Sequence, residues 1–186
     1  CWHCLDVRLA RNQPVRAHWR SLEGGLHQGV PLAVNAGAAR TCLHLLTTRL
    51  AQPLTGLPLV TIQADGEMRR HPSPQRPQCP VCGDPDWLAM HQHQPLQLNP
   101  AHKLAGVAGG ARTQASQATV ARLMGEVSPL SGVVVELRVL PSQGDMPVYH
   151  SQFFRPLHRD VHDLTRIVAQ SCLGKGMSDA QSQASA

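Results

Sequence analysis

The chain has 186 residues, 42% of them hydrophobic but only 3% aromatic, so its core must be largely aliphatic. That length suits one domain or one and a half. The net charge of +5 forms no basic cluster interleaved with aromatic residues, and no apolar run approaches the roughly 20 residues that span a bilayer. We therefore expect neither a nucleic-acid nor a membrane partner.

The first half of the chain predicts two helices and a hairpin. A short helix over residues 5–11 is stopped near Pro14, and a longer one from Pro31 to about Leu50 has one apolar face. A strand over residues 57–64 meets Asp65-Gly66, a strong hairpin-turn signal, and returns over residues 68–71. The prolines that follow hold the chain extended up to residue 80.

Residues 83–111 are rich in Pro, Gln, His and Gly, so we place a domain boundary near 95–110. One short strand is predicted over residues 96–98. Ser116 is then a candidate N-cap for a helix. The apolar stripe of that helix consists of Val120, Leu123, Met124 and Val127.

The last third predicts a hairpin followed by a helix. Strands over residues 133–140 and 148–154, joined by a turn, are expected to pair antiparallel. Gly174-Lys175-Gly176 then predicts a turn with a solvated lysine, leading into a helix that starts near Ser178. The turn is not a phosphate loop, because the longer glycine spacing and the Gly-Lys-Ser/Thr ending are missing.

Two cysteine pairs carry the strongest chemical signal. Cys1 with Cys4, and Cys79 with Cys82, each have the two-residue gap that lets two thiolates reach one metal ion. Four such sulfurs complete a tetrahedral zinc shell without an open coordination position, which predicts a structural zinc site. The 74 residues between the pairs are far more than a zinc finger uses, so the metal would join two distant parts of a folded domain.

Two other interpretations of these residues stay open. Cys1 and Cys4 have the gap of a thioredoxin-type redox motif, although that motif needs a preceding strand. His3 could also replace one of the cysteines as a metal ligand.

The other cysteines and the histidines give weaker signals. Cys42 is predicted to pack in the core beside the apolar face of the long helix, and Cys172 is a free thiol without an assigned task. Two pairs and two single cysteines favour a reduced compartment, so we predict a cytoplasmic location. A second metal site is not expected, and the histidines are assigned to surface or linker positions: His91, His93, His102, His150, His158 and His162.

Several stretches, in order, resemble one family. Around the cysteines these are Cys-Trp-His-Cys-Leu (1–5), Arg-Asn-Gln-Pro-Val (11–15) and Arg-Pro-Gln-Cys-Pro-Val-Cys-Gly-Asp-Pro (76–85). Further on they are Gly-Gly-Ala-Arg-Thr (109–113), Val-Ser-Pro-Leu-Ser-Gly-Val-Val (127–134) and Gly-Lys-Gly-Met-Ser-Asp-Ala-Gln-Ser-Gln-Ala-Ser-Ala (174–186). The chain resembles the fused azoline-forming cyclodehydratases of thiazole/oxazole-modified microcin (TOMM) biosynthesis. In these, a ubiquitin-activating-enzyme-like (ThiF-like) domain precedes a YcaO domain.

The resemblance implies an α/β (α+β) fold in two parts. Residues 1–98 would be the zinc-stapled C-terminal part of the activating-enzyme-like domain, residues 99–111 a linker, and residues 112–186 the N-terminal helix and hairpin of a YcaO domain. The chain opens on a metal-ligand candidate and closes inside a helix, so we expect an interior piece of a longer protein.

The implied activity is ATP-dependent cyclodehydration in bacteriocin biosynthesis. A Cys, Ser or Thr side chain of a ribosomal precursor peptide attacks a backbone carbonyl. The resulting oxygen is phosphorylated by ATP with Mg²⁺ and leaves as phosphate, because phosphate is a far better leaving group than a water-like oxygen. Expected partners are the leader and core of that precursor, a dehydrogenase, and a second copy in a homodimer.

The resemblance also assigns residues. Cys1, Cys4, Cys79 and Cys82 match the structural zinc ligands, and Arg112, Thr119 and Ser185 match residues that contact nucleotide phosphates. Ala108 and Ala111 depart from the family pattern, where an acidic and a bulkier residue are common. No catalytic residue is assigned, because the Mg²⁺-binding glutamates of the family would fall beyond Ser185, so the chain alone is expected to catalyse nothing.

Two rival functions remain. One is a non-catalytic scaffold that docks the leader peptide for a separate YcaO enzyme, and it would not need the nucleotide-contacting residues of the second half. The other is YcaO-dependent thioamide formation, although the fused zinc half favours azoline chemistry.

Overall fold

The computed structural model describes residues 1–22, 35–50, 59–63, 65–104, 112–142, 144–154 and 169–186. Within them the chain is a mixed α/β structure with two small sheets. The helices are α1 Trp2–Asn12, α2 Pro14–Leu22, α3 Ala36–Leu50, α4 Trp87–His91, α5 Ser116–Leu123 and α6 Asp179–Ser185, with a 3₁₀ turn at Met124–Glu126. The strands are β1 Leu59–Ile62, β2 Met68–His71, β3 Glu136–Leu140, β4 Val148–Phe153 and β5 Gln170–Lys175. None of the described helices is both long and apolar enough to cross a bilayer.

The N-terminal helix is longer than predicted and is followed at once by another. Pro14 ends α1 and opens α2, because the missing N–H of proline costs nothing at the first helical position. The sequence reasoning recognised the stop and missed the new start. Arg20 of α2 reaches back to Asp6 of α1 over 3.4 Å, so the two helices form a bent pair.

Helix α3 is present, but the prediction that it buries one apolar face is wrong. Asn35 caps it, accepting the N–H of Ala38 at 2.9 Å, and Ala38 is buried. Further along, Leu43 and Leu46 are 63% and 59% exposed, and Cys42 is exposed instead of packed in the core. In the described part of the chain α3 contacts β1, and Gly37 and Thr41 in its first turns lie beside the Asp65-Gly66 turn. Residues 31–34 of the predicted helix lie outside the described residues.

The first hairpin is confirmed. Strands β1 and β2 pair antiparallel with Leu59 opposite His71. Gly66 takes a φ of 92° and donates its N–H to the carbonyl of Gln63 at 2.9 Å, a left-handed conformation that glycine adopts without a Cβ penalty. Residues 57, 58 and 64 of the predicted strand are outside the described part.

The strand predicted over residues 96–98 is wrong. Leu96 and Leu98 are both 84% exposed, and no strand of the described residues pairs with them. Proline on each side leaves this stretch too short to form a ladder with a neighbour. The short helix α4, whose Trp87 and His91 rings stack 4.6 Å apart, was not predicted.

Helix α5 begins where it was expected, but its cap differs. Ala115 is the N-cap, with an extended conformation, and Ser116 is already helical and only 7% exposed. The helix therefore begins one residue earlier than it would if Ser116 were its N-cap. The predicted apolar stripe is half-covered, since Leu123 and Met124 remain 42% and 47% exposed.

The second sheet has the order β3-β4-β5 and is antiparallel throughout. The β3–β4 hairpin was predicted and is confirmed, whereas β5 was not. Gly174 and Lys175 lie in β5 opposite Tyr149 and Val148, so the predicted turn at these two residues is wrong. Gly174 is required there because α6 lies directly on it, and a Cβ would come within 2.7 Å of the Cα of Ala186.

Helix α6 begins where it was predicted to begin, next to Ser178. The side chain of Ser178 caps it by accepting the N–H of Gln181 at 3.3 Å. Ser182 is fully buried and donates to the carbonyl of Pro147 at 2.8 Å, which anchors α6 to the strand β4 entry. Helix α5 packs on α6 in turn, so the sheet, α6 and α5 form successive layers.

Candidate metal centre

Two cysteines are presented by the start of α1. Cys1 immediately precedes the helix and Cys4 lies in its first turn, where residues three apart share one side. Cys4 is fully buried and Cys1 is exposed. The helix therefore brings both sulfurs to one side at its N-terminal end, with one in the interior.

The other two cysteines lie in a tight turn after β2. The N–H of Cys79 donates to the carbonyl of Arg76 at 3.1 Å, and the N–H of Gly83 donates to the carbonyl of Cys79 at 2.8 Å. A Cβ on Gly83 would lie 2.7 Å from both the Arg76 carbonyl oxygen and the Cys79 nitrogen. Only glycine fits, so the turn is closed tightly around the sulfur of Cys79, which is fully buried.

The four sulfurs converge on one point. Cys1 Sγ lies 3.6 Å from Cys79 Sγ, and Cys4 Sγ lies 3.5 Å from Cys82 Sγ. All four sulfurs are within 4.8 Å of one another. Zinc–sulfur bonds of about 2.3 Å in a tetrahedron require sulfur separations of about 3.8 Å. The cluster is therefore close enough to hold one metal ion, and its donor set is consistent with structural zinc.

The charge balance of the cluster favours a cation. Burial raises the pKa of Cys79, but hydrogen bonds from the backbone N–H groups of Val81 and Cys82, together with those from the side chains of Cys4 and Cys82, outweigh it and bring the pKa to about 6. The pKa of Cys82 is raised, chiefly through its hydrogen bond with Cys4 and through burial. One sulfur is thus ready to ionise while its neighbour resists a second negative charge. A divalent cation among them removes that conflict.

Groups with positive character surround the sulfurs. The N–H of Arg76 donates to Cys4 Sγ at 3.4 Å. Arg8, one turn further along α1, has its pKa lowered by burial, partly offset by the negative charges of Glu126 and Cys4. Such neighbours are typical of the shell that orients thiolate ligands.

The alternatives for these residues lose support. Each close sulfur contact joins one cysteine of the first pair to one of the second, which is not the arrangement of a separate redox pair. His3 is not a member of the group. Within the described ranges, the group found that could hold a metal ion is the four cysteines. No such group there includes His91, His93, His102 or His150. His158 and His162 lie outside the described ranges.

The predicted nucleotide contacts lie far along the chain from the cysteines. Arg112 is half-buried just before α5, and its carbonyl accepts the N–H of Leu104 at 2.9 Å. Thr119 is in α5 and Ser185 is in α6, the two helices that pack together. Their hydroxyls donate to the carbonyls of Ala115 at 3.4 Å and Gln181 at 2.8 Å, which leaves oxygen lone pairs free. The phosphate contact of these residues stays a prediction.

Sequence reasoning missed a second set of polar residues near the centre. Asn12, His71, Ser128 and Ser131 are all buried and hydrogen-bonded across the predicted domain boundary. The segment Val-Ser-Pro-Leu-Ser-Gly-Val-Val was noticed for its resemblance alone. Its two serines, three positions apart around a proline, are the signal that could have indicated a turn with internal hydroxyl bonds.

Comparison with known proteins shows a likeness in fold over the whole chain. No family model matches the chain, and no curated protein matches it in sequence. A solved structure described as a heterocyclase in complex with substrate and cofactor matches all of this chain with a TM-score of 0.69 and 24% identity. The chain spans 27% of that protein's length. At this identity the likeness shows a shared fold.

Proposed function

We propose that this chain is part of an ATP-dependent YcaO cyclodehydratase that converts Cys, Ser or Thr of a ribosomal precursor peptide into thiazoline or oxazoline. One observation carries the proposal: a fold similar to that of a heterocyclase over the full chain, with the expected four cysteines gathered at one point. Neither feature would be specific by itself. Their combination supports the TOMM assignment, and the division into ThiF-like and YcaO parts is proposed as a consequence of that assignment.

The metal part of the proposal is structural zinc. The residues Cys1, Cys4, Cys79 and Cys82 fit four-thiolate coordination in donor type and spacing. All four positions of a tetrahedral ion would be filled by protein, so the ion would stabilise the fold and take no part in the reaction.

The nucleotide part is assigned to the second half. Arg112 offers a guanidinium that can bind two phosphate oxygens, and Thr119 and Ser185 offer hydroxyls from two helices in contact. Both hydroxyl protons are held by the helix backbone, so donation to a phosphate requires a rotation about the side-chain bond. ATP with Mg²⁺ would turn the peptide oxygen into a phosphate leaving group.

The third part of the proposal concerns the peptide partner. A precursor peptide would be held through its leader and modified in its core, and a dehydrogenase would act on the resulting azoline. A homodimer is proposed for the complete enzyme. Each of these partners is an extension of the family assignment.

The test uses the natural protein that contains this chain, incubated with ATP, Mg²⁺ and a cysteine-bearing precursor peptide. Mass spectrometry should show the loss of one water per ring, with one phosphate released per ring. A parallel incubation with added sulfide as sulfur donor would instead show thioamide formation, as the replacement of a backbone oxygen by sulfur. Tight peptide binding without any mass change would show the scaffold function and contradict the enzyme.

A matched variant tests the nucleotide assignment in the same assay. Arg112→Ala should raise the KM for ATP about tenfold or more, because a charge-assisted phosphate contact is lost. Arg16→Ala, an exposed arginine in α2, is the control. An unchanged KM would remove Arg112 from the nucleotide site.

A further inference from the structure

Helix α1 carries two cysteines at one end and a buried contact at the other. Asn12, its last residue, is only 8% exposed and donates through Nδ2 to the carbonyls of Gly132 at 3.0 Å and Leu130 at 3.2 Å. The neighbouring Arg11 donates to the carbonyl of Phe154, the residue after β4. The helix therefore links Cys1 and Cys4 to the turn at residues 128–132.

The segment that carries Cys79 and Cys82 contacts the same turn. His71, where this segment leaves β2, is hydrogen-bonded through Nδ1 to Ser128 Oγ at 2.9 Å. Ser131 donates its hydroxyl to the carbonyl of Pro72. Two segments distant in sequence, each bearing one cysteine pair, thus hold one five-residue turn.

The turn at residues 128–132 is tightly packed and has several internal hydrogen bonds. Ser128 Oγ accepts the N–H groups of Leu130 and Ser131 at 3.3 Å, and the N–H of Gly132 donates to the Ser128 carbonyl at 3.1 Å. A Cβ on Gly132 would lie 2.6 Å from the carbonyl oxygen of Glu126. Three residues later the N–H of Val135 donates to Gln152 of β4 at 2.8 Å, so the turn leads directly into the second sheet.

We call α1, with Cys1 before it, and the 71–84 segment the two arms. Apart from the cysteine sulfurs, few contacts among the described residues join these two arms. Among the described residues, the direct hydrogen bonds between α1 and residues 71–84 all involve a cysteine sulfur. The charges of Arg8 and Arg76, one on each arm, repel each other, while the charge of Glu126, next to the turn, has a larger and favourable effect on Arg8. A metal ion that replaces weak thiol contacts by four bonds would fix the separation of the arms against this repulsion.

We propose that a metal ion in the four-cysteine centre acts as a clamp between the two halves of the chain. It holds α1 and the 71–84 segment at the separation at which both form hydrogen bonds to the turn at residues 128–132. Metal binding and docking of this turn are therefore energetically coupled. The proposal rests on the metal part of the proposed function and is independent of cyclodehydration.

Coupling between two sites is reciprocal, which gives a test. Zinc affinity of the 186-residue chain is measured by competition with a chelator of known affinity. Asn12→Ala removes two hydrogen bonds to the turn, so it should lower zinc affinity about threefold to thirtyfold although Asn12 touches no sulfur. Asn99→Ala, an exposed asparagine without a described contact, should leave the affinity unchanged.

Amide hydrogen exchange supplies the reverse measurement. Removal of zinc from the wild-type chain should speed exchange in residues 128–134 at least as much as in residues 76–84. If Asn12→Ala fails to fold, Ser131→Ala removes only the hydroxyl bonds to Pro72 and Ser128 and is compared with Ser73→Ala at an exposed serine.

Two results would overturn the clamp. One is unchanged zinc affinity in Asn12→Ala or Ser131→Ala while the turn exchanges faster. The other is a zinc-free chain whose turn remains protected. A chain that binds no zinc would remove the metal assignment as well, whereas failure of the peptide assay alone would leave the clamp standing.

Discussion

Cys4 Sγ and Cys82 Sγ lie 3.5 Å apart although 78 positions separate the two residues in the chain. Helix α1 and the turn after β2 meet at this point, and Cys4 and Cys79 are the largest apolar side chains that the described part of the chain buries completely. A fold with so few buried apolar groups near its N-terminus needs another source of stability. A metal ion held by the four cysteines would provide it, because metal binding appears directly as folding free energy.

The first prediction concerns the metal ligands. Cys79→Ser should abolish zinc binding at stoichiometric concentration and lower the thermal midpoint, because structural zinc contributes on the order of 10–16 kcal/mol of apparent binding free energy in small peptides. Metal analysis and calorimetry of the purified chain measure both effects. Cys42→Ser is the matched control, since Cys42 is exposed and outside the cluster. Equal zinc content in the two variants would contradict the assignment.

The second prediction concerns the turn that presents Cys79. Gly83→Ala should destabilise the zinc-bound chain by about 1–3 kcal/mol, because the new Cβ would meet the backbone of Arg76 and Cys79. Gly125→Ala has nothing within 4 Å of the added Cβ and should be neutral or slightly stabilising. Denaturant unfolding compares the two, and equal stabilities would show that the turn tolerates a side chain.

Those parts of the structure that depend on local chemistry were predictable from the sequence. The spacing of Cys1, Cys4, Cys79 and Cys82 indicated one metal centre, and the structure gathers the four sulfurs. Asp65-Gly66 predicted the first hairpin because the turn needs a left-handed residue. A few adjacent residues determine the hairpin turn and the spacing within each cysteine pair, and the need of one metal ion for four sulfurs predicts that the two pairs meet.

The third prediction concerns pH. Burial, with a smaller effect of Arg69, lowers the pKa of His71 below its ordinary 6.5, so the folded chain resists protonation of a ring that the unfolded chain protonates. Below pH 6.5 the unfolded state binds more protons, and stability should fall as the pH drops towards the lowered pKa. This loss amounts to at most about 1.4 kcal/mol per pH unit.

The variant His71→Gln isolates this effect. It should be less stable than wild type above pH 6.5, because the hydrogen bonds to Thr61 and Ser128 are weakened, and the difference should shrink as the pH falls. Urea unfolding at several pH values measures it, with His102→Gln at an exposed position as control. A stability difference that stays constant with pH would show that His71 does not titrate with folding.

The fourth prediction concerns the packing of α6 on the second sheet. Gly174→Ala places a Cβ against Ser182 and Ala186, so α6 must shift and the chain should lose about 1–3 kcal/mol. Amide exchange in residues 179–186 should rise while that of residues 76–84 stays unchanged. Loss of protection in the cysteine turn as well would indicate that the two halves unfold as one unit.

Features that depend on distant partners could not be predicted. Gly174 and Lys175 have the composition of a turn, and only pairing with Tyr149 and Val148 makes them a strand. Cys42 has the position of a core residue on its helix, yet it is exposed in the folded chain. Asn12 has no local signature, and the spacing of Ser128 and Ser131 indicates only a turn, because the carbonyls that Asn12 and Ser131 reach depend on the folded chain.

X-ray absorption at the zinc edge of the purified chain is the most direct test of the central claim. The account predicts one zinc per chain, surrounded by four sulfurs at about 2.3 Å, with no nitrogen or oxygen ligand. A chain that holds no zinc, or whose zinc has two sulfurs with water or histidine completing the shell, would contradict a closed centre joining α1 to the turn of Cys79 and Cys82.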